Sequence, residues 1–433
     1  MISALVIGLY VLFMLLGIRV GVAIALATLT GMMVGGYDPM ALPQHMAASV
    51  RSIELMAIPF FILAAALMNA MGITRRIFDF ATALVGSLRG GLAQANVVAG
   101  FIFSGISGAA VADAAALGAI SMKEMPRAGY DPPFAAAVVM AVSTLGPMIP
   151  PSIMMVVYAI TANVSIARLF LAGIVPGIII AAALMILIAV MTGRGWTLSP
   201  EPTPFRWAAL WRATRLAFLA LLAPLLILRG MVVGWTTPTE AGIIAVFYAL
   251  LVGFLYRTIS WSRVTAAIEE TVEGTALILY IIAVSSALSF VFVSEGTAAQ
   301  LSKLMADLSI GPVSFLLVAN LLLLVLGCVI ETLPAMLLAV PLLLPTALEL
   351  GVDPVHFGVV VIFNLLIGIM TPPMGIGLYI LMAIGRVAFG PLVRASLPFI
   401  AVLMVVLAAL TYVPGLMLWL PDLVMPLPGK AAE

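Results

Sequence analysis

The chain has 433 residues, 64% of them hydrophobic and only 9% charged, with a net charge of +1. A soluble domain carries about 25% charged residues to solvate its surface, so this composition excludes a water-soluble globular protein. The absence of a basic tract excludes a nucleic-acid partner, and a single cysteine, Cys328, excludes an intramolecular disulfide framework.

Most of the surface must face hydrocarbon, where only helix bundles and closed barrels leave no backbone polar group stranded. The apolar stretches are long and continuous rather than alternating, which selects an all-α polytopic membrane protein. In chain order they fall at 2–18, 20–36, 55–71, 92–122, 132–162, 166–192, 215–234, 237–256, 270–293, 312–346, 354–384 and 395–420. Met1 leads into the first without a basic n-region or a strong cleavage site, so that segment reads as a span and not a removable signal. The polar, proline-rich stretch 193–215, with Arg194, Arg206, Arg212 and Arg215, divides the chain into halves. Residues 193–256 are expected to supply an arm and scaffold spans within one membrane unit covering 1–433.

Segments 92–122 and 312–346 are each about 30–35 residues, too long for one span of a hydrocarbon core about 30 Å thick. Each is interrupted near its middle, at Ser104-Gly105-Ile106-Ser107-Gly108 and at Gly327-Cys328-Val329-Ile330-Glu331-Thr332-Leu333-Pro334. A re-entrant helical hairpin fits this pattern, with a pair of short complete spans as the alternative. With Arg19 cytoplasmic, Arg75, Arg76, Arg89, Lys123, Arg127, Arg194, Arg206, Arg212, Arg215, Arg257, Arg263, Arg386 and Arg394 are cytoplasmic too. Roughly fourteen of the nineteen basic residues then obey the positive-inside rule. The first hairpin thus enters from the cytoplasm and the second from the periplasm.

An internal repeat follows. Gly129, Asp131 and Pro132 recur as Gly351, Asp353 and Pro354, Val138-Val139 as Val360-Val361, and Gly146 as Gly368. At the same separation, Met148 recurs as Met370 and Pro150-Pro151 as Pro372-Pro373. The order of hairpin, acidic loop and broken helix therefore occurs twice, at 92–162 and 312–384. An odd number of spans separates the copies, so the second is inverted. Inverted repeats with interrupted helices characterise secondary transporters, with the site at mid-membrane.

The local chemistry suits that role. Asp131 and Asp353 each read as an N-cap before a proline at the first helical position. Prolines 150, 151, 372 and 373 cannot continue a helix, and would release the carbonyls of Gly146, Pro147, Gly368 and Ile369 for an alkali cation. New half-helices starting at Ser152 and Met374 aim their dipoles at the same region, which suits a carboxylate. Sodium ligands are expected among Ser104, Ser107, Gly108, Ser143, Thr144 and Gly146 at the first site, and Gly327, Glu331, Thr332, Gly368, Met370 and Thr371 at the second. Ser107, Asp113, Pro150, Pro151, Ser152, Pro372 and Pro373 are the expected substrate contacts.

Asp113 and Glu331 are acids within apolar stretches, where ionisable groups are costly and usually functional. Asn320 and Asn364 read as interhelical bonds, and Glu269, Glu270 and Glu273 as a dipole-compatible helix start. His45 and His356 are too few and too distant for a transition-metal site, so sodium is the one metal ion expected.

The chain resembles the large membrane subunit of tripartite ATP-independent periplasmic (TRAP) transporters. The resemblance rests on Ala57 to Ala64, Gly90 to Ala93, Ser104 to Asp113, Ile149 to Ser152, Ala172 to Gly177, Thr237 to Ala241 and Gly368 to Gly375, in that order. It implies a sodium-coupled elevator in the bacterial inner membrane, with hairpins and broken helices sliding against a scaffold. It also implies a periplasmic substrate-binding protein, a separate small four-helix membrane subunit and a small carboxylate substrate, with no cofactor beyond the coupling ion. A carboxylate carrier working without a binding protein would share the architecture. An intramembrane enzyme would need a nucleophile–base pair or a His-Glu-x-x-His helix, and the sequence holds neither.

Overall fold

The computed structural model describes residues 2–200, 204–307, 311–372 and 375–426, and among these all regular structure is helical. The first half comprises α1 (Ile2–Leu15), α2 (Val20–Val34), α3 (Ala41–Ser49), α4 (Ala57–Ala70), α5 (Ile73–Val85), α6 (Gly91–Ser107), α7 (Ala110–Arg127), α8 (Pro132–Ser143), α9 (Ile153–Ala162) and α10 (Ile166–Gly193). The second comprises α11 (Trp207–Val232), α12 (Pro238–Leu255), α13 (Trp261–Ser294), α14 (Thr297–Asp307), α15 (Pro312–Val329), α16 (Thr332–Glu349), α17 (Pro354–Gly368), α18 (Ile376–Gly385), α19 (Phe389–Tyr412) and α20 (Gly415–Val424). Among the described residues eight helices are long and apolar enough to cross a membrane, and α8 with α9, bent by 44° at their break, makes a ninth.

Both over-long segments break where glycine and polar residues interrupt them. Gly108, at φ +63°, ends α6 in the left-handed region, and Ala109 is extended before α7 begins. Ile330 is likewise extended between α15 and α16. The separation that carries Gly129 onto Gly351 also carries Ala110–Arg127 of α7 onto Thr332–Glu349 of α16, end for end. The repeat is thus one of structure as well as sequence.

Other boundaries differ from expectation. α13 begins at Trp261, so Glu269, Glu270 and Glu273 lie inside a continuous helix and not at its start. Segment 395–420 divides at Val413-Pro414 into α19 and α20. α5 lies outside every apolar segment because it is amphipathic: Ile73, Ile77, Phe78 and Ala81 are buried while Arg75 and Asp79 face out, 3.2 Å apart. Its 13 residues span about 20 Å, too short to cross.

The two aspartate caps are unequal. Asp353 accepts hydrogen bonds from the backbone N–H groups of Val355 (2.8 Å) and His356 (3.1 Å), whereas the Asp131 side chain makes no such bond. The reason lies in the next residues. Pro133 occupies the position corresponding to Val355 and has no N–H to donate. Asp353→Ala is therefore expected to cost about 1 kcal/mol and Asp131→Ala a few tenths at most, a difference readable in thermal unfolding midpoints.

α8 and α17 form the centre. Phe134 through Ser143 and Val355 through Gly368 are buried all round, as a helix apolar on every side requires. α8 packs against α6, α7, α18 and α19, and α17 against α10, α15, α16 and α19. Tyr158 of α9 donates its hydroxyl to the Pro354 carbonyl at 2.6 Å, tying the two repeats together. Asn364 donates to the Asn320 carbonyl (2.9 Å) and side-chain oxygen (2.7 Å), and Asn320 donates to Thr411 Oγ1 (3.1 Å), joining α15, α17 and α19 as the sequence suggests. A second group, α4 with α12 and α13, flanks this centre.

Arg168 at the start of α10 is nearly buried and donates to Asp422 of α20 and to the Met425 carbonyl, each at 2.5 Å. Removing one partner of a buried charge pair costs about 3–5 kcal/mol, and Asp422 is half-exposed. Asp422→Ala is accordingly expected to cost less, about 2 kcal/mol, measured as a lowered unfolding midpoint.

Candidate functional site

The first hairpin tip lies directly on the first helix break. A methyl group at Gly108 would stand 2.5 Å from the Pro151 carbonyl oxygen and 3.1 Å from Ser152 Cα, and one at Gly105 would meet Pro224 Cβ at 2.8 Å. Asp113, wholly buried one turn into α7, accepts hydrogen bonds from the hydroxyls of Ser107 and Ser104, the latter at 3.3 Å. Its Oδ2 would be 2.5 Å from a methyl group at Gly146. The tip, the acid and the break are therefore one constellation.

Of the ion pairs among the described residues, none involves Asp113. A buried carboxylate without a cationic partner is expensive. The expected substrate contact thus sits among the residues expected as sodium ligands.

The remaining first-site hydroxyls are oriented by their own backbone. Ser143 and Thr144 each donate at 2.7 Å, to the Met140 and Ala141 carbonyls. With the proton committed, each oxygen keeps only lone pairs, the character a hard cation needs. Ser152 caps α9, accepting from Met155 N–H at 3.2 Å, and donates to the Pro147 carbonyl at 2.6 Å. The carbonyl that Pro151 releases is thus taken up locally, leaving it one lone pair. Ser152→Ala is expected to cost about 1–2 kcal/mol, checked by thermal unfolding in the absence of sodium.

The second site is built differently. Gly327 and Gly368 touch backbone to backbone: a methyl group at Gly368 would lie 2.5 Å from Gly327 C and 2.6 Å from its Cα. The carbonyls of Gly368 and Ile369, expected to be free, accept from Thr371 N–H at 2.9 Å and Gly377 N–H at 3.0 Å. Thr371 N–H, which precedes the prolines, closes a turn on Gly368, and Gly377 N–H, which follows them, reaches back to Ile369. The Thr371 hydroxyl donates to the Ile367 carbonyl at 2.7 Å, and Met370 is buried. Pro372 follows Thr371 in the turn, whereas Pro373 and Met374 lie outside the described residues. In the register of the repeat Asp113 corresponds to Ala335, and Ser104 and Ser107 to Leu326 and Val329. The two sites are therefore not chemical copies.

Both tips border one cavity of about 110 Å³. Its lining includes Ala110, Ile153, Thr332 and Ile376, the first residues of α7, α9, α16 and α18 or their immediate neighbours, together with Pro147 and Glu331. The first residues of four helices thus border one small space, and each helix N-terminus carries about half an elementary positive charge. Sequence reasoning identified two of these, at the half-helices; the starts of α7 and α16 were visible only as hairpin tips. A second cavity of about 390 Å³ shares Ala109, Val111, Ile153 and Ile278 with the first and adds Ser107, Asn69 and Glu270. Among the described residues no cluster of three or more His, Cys, Asp or Glu side chains could hold a transition metal.

Comparison with known proteins accords with this architecture. Residues 7–416 match the family model "Tripartite ATP-independent periplasmic transporter, DctM component". The sialic acid TRAP transporter large permease protein SiaM of Vibrio cholerae is 40% identical over 88% of this chain and 89% of its own length. The C4-dicarboxylate TRAP transporter large permease protein DctM of Pseudomonas aeruginosa is 38% identical over 85% and 86%. The isethionate TRAP transporter permease protein DctMQ of Oleidesulfovibrio alaskensis is 34% identical over 94% of this chain but only 65% of its own. The crystal structure of the Alcanivorax borkumensis YdaH transporter, described as having an unusual topology, superposes with a TM-score of 0.60 over 82% of this chain and 84% of that one. At 15% identity it bears on fold alone. The chain belongs to the tripartite ATP-independent periplasmic transporter family as its DctM component, a large permease of the inner membrane and not an enzyme.

Proposed function

We propose that this permease drives uptake of a small organic acid with sodium, receiving it from a periplasmic binding protein and moving it by an elevator motion. The observation that carries the reading is the cavity at which both hairpin tips and four helix N-termini meet. Converging dipoles suit a carboxylate, while the hydroxyls around Asp113 and the glycine contact at Gly327 and Gly368 suit bound sodium. Ser107 and Glu331 stand between the two sets, at the tips. Sodium would complete each tip against its break, and the completed tips would close on the substrate. The hairpins and broken helices would then slide as one body against α4, α12 and α13.

The named relatives transport sialic acid, C4-dicarboxylates and isethionate, all anions under ordinary conditions. A small organic anion is the common denominator, and a C4-dicarboxylate or sugar acid the first choice here. A small membrane subunit is proposed as a partner, since about a third of the DctMQ relative lies outside the part this chain matches.

The test is uptake into proteoliposomes holding this chain with its small subunit. External binding protein would carry labelled succinate, sialic acid or isethionate. Uptake should require an inward sodium gradient and the binding protein. Equal rates in potassium would remove sodium coupling, and equal rates without the binding protein would favour the autonomous carrier.

A further inference from the structure

We propose that the groove between α5 and the N-terminal end of α11 holds the headgroup of an anionic phospholipid from the cytoplasmic leaflet. The groove has a volume of about 760 Å³, with Asp79, Thr82 and Ser87 on one wall and Phe205, Arg206 and Arg212 on the other. By the positive-inside rule this end of both helices is cytoplasmic. α5 is amphipathic and too short to cross, so it lies along the surface and forms its wall of the groove at headgroup level.

The electrostatics of the α11 wall call for an anion. A helix N-terminus carries about half a positive charge and is ordinarily balanced by acidic residues in its first turn. α11 has none there. Instead Arg206 occupies the N-cap, and Arg212 and Arg215 follow on the same end. All three are exposed, and none makes an ion pair or side-chain hydrogen bond among the described residues. Among the described residues, three guanidiniums and a helix dipole thus add up without a paired counter-charge. The one acid among the described residues of the groove, Asp79, is already paired with Arg75, which also binds Glu124 at 3.0 Å.

A phosphodiester matches guanidinium donors in geometry and charge. The neighbouring side chains say that it arrives on a lipid. Trp207 and Trp211 are 76% and 68% exposed, and Phe205 stands edge-on to Trp207 with ring centroids 5.0 Å apart. Exposed tryptophans beside a basic pocket mark the membrane interface, where aromatic rings sit level with headgroups. Basic pockets on the cytoplasmic side of membrane helices bind acidic headgroups for the same reason.

The experiment uses the full chain in detergent, titrated with phosphatidylglycerol or phosphatidylcholine carrying brominated acyl chains, with tryptophan fluorescence as the readout. Phosphatidylglycerol should quench at lower concentration than phosphatidylcholine, and Trp207→Phe with Trp211→Phe should remove most of that difference. Arg206→Gln, Arg212→Gln and Arg215→Gln together should weaken the apparent affinity for phosphatidylglycerol about tenfold or more, while the three lysine replacements should retain most of it. Equal quenching by the two lipids overturns the proposal. So does a phosphatidylglycerol preference that survives in the glutamine variant or in the Trp207→Phe, Trp211→Phe protein. If inorganic phosphate abolishes the preference at the lipid's own concentration, the groove is a small-anion site. If the small membrane subunit abolishes quenching, the groove is a protein interface. Either result overturns the lipid assignment.

Discussion

Replacing Asp113 by asparagine should weaken the proposed sodium binding about 10- to 100-fold while leaving the permease folded. The estimate follows from the chemistry of the pocket. Asp113 is wholly buried, accepts from two serine hydroxyls and has no cationic side chain paired with it among the described residues. A charge-assisted contact is worth about 1.5–3 kcal/mol, and about 1.4 kcal/mol is a factor of ten in affinity. Asparagine preserves the size of the side chain and an oxygen to accept one hydroxyl, so the tip should still close on the break. The measurement is thermal unfolding of the purified chain in sodium, potassium and choline chloride at equal ionic strength. A ligand at a hundred times its dissociation constant stabilises the folded state by about 2.7 kcal/mol. The wild type should show that gain in sodium alone and Asp113→Asn should lose most of it. Ser107→Ala and Thr371→Ala, which each remove one neutral oxygen, should lose a smaller part. An Asp113→Asn protein stabilised by sodium as fully as the wild type would show that the carboxylate plays no part in the ion site.

The sequence was most legible where backbone chemistry is absolute. Proline lacks an N–H and glycine lacks a Cβ, so the breaks near Pro150 and Gly108 and their register with Pro372 and Ile330 could be read directly. Long apolar runs located the spanning helices for the same reason: hydrocarbon leaves the backbone no choice. α5 escaped notice because a surface helix is half polar and registers in no hydropathy segment. The carbonyls of Gly368 and Ile369 were expected to be free because proline removes their helical donors. Thr371 N–H closes a turn on Gly368 ahead of the prolines, and Gly377 N–H reaches Ile369 from beyond them, a return that no local pattern encodes. Asp113 was recognised as an unusual acid and Ser104, Ser107 and Gly146 as one expected site, but that the carboxylate sits among them was not read, since Gly146 lies across the tip–break contact. The inequality of the two sites could be seen only once the structural repeat fixed which residue of α16 stands where Asp113 stands in α7.

Gly368→Val should be the most damaging single substitution at the second site, costing about 3 kcal/mol of stability or more. Gly368 and Gly327 meet backbone to backbone, with the Cβ position of Gly368 2.5–2.8 Å from the C, Cα and O atoms of Gly327. A side chain there displaces main chain, which cannot rotate away as a flexible side-chain tip can. α17 is buried on every face around the contact, so the strain has nowhere to relax. The second tip would be pushed off its break, and with it Glu331 and Thr332, which line the shared cavity. Gly368→Ala tests the same geometry with a smaller insult and should retain the fold at a lower unfolding midpoint while losing sodium-dependent uptake. Gly129→Ala provides the comparison. Unlike Gly368, Gly129 has positive φ, at +97°, but a methyl group there meets nothing within 4 Å, so its replacement should cost about 1 kcal/mol and leave uptake unchanged. If Gly368→Ala transports like the wild type, the glycine contact is a packing feature only and carries no support for the proposed second ion site.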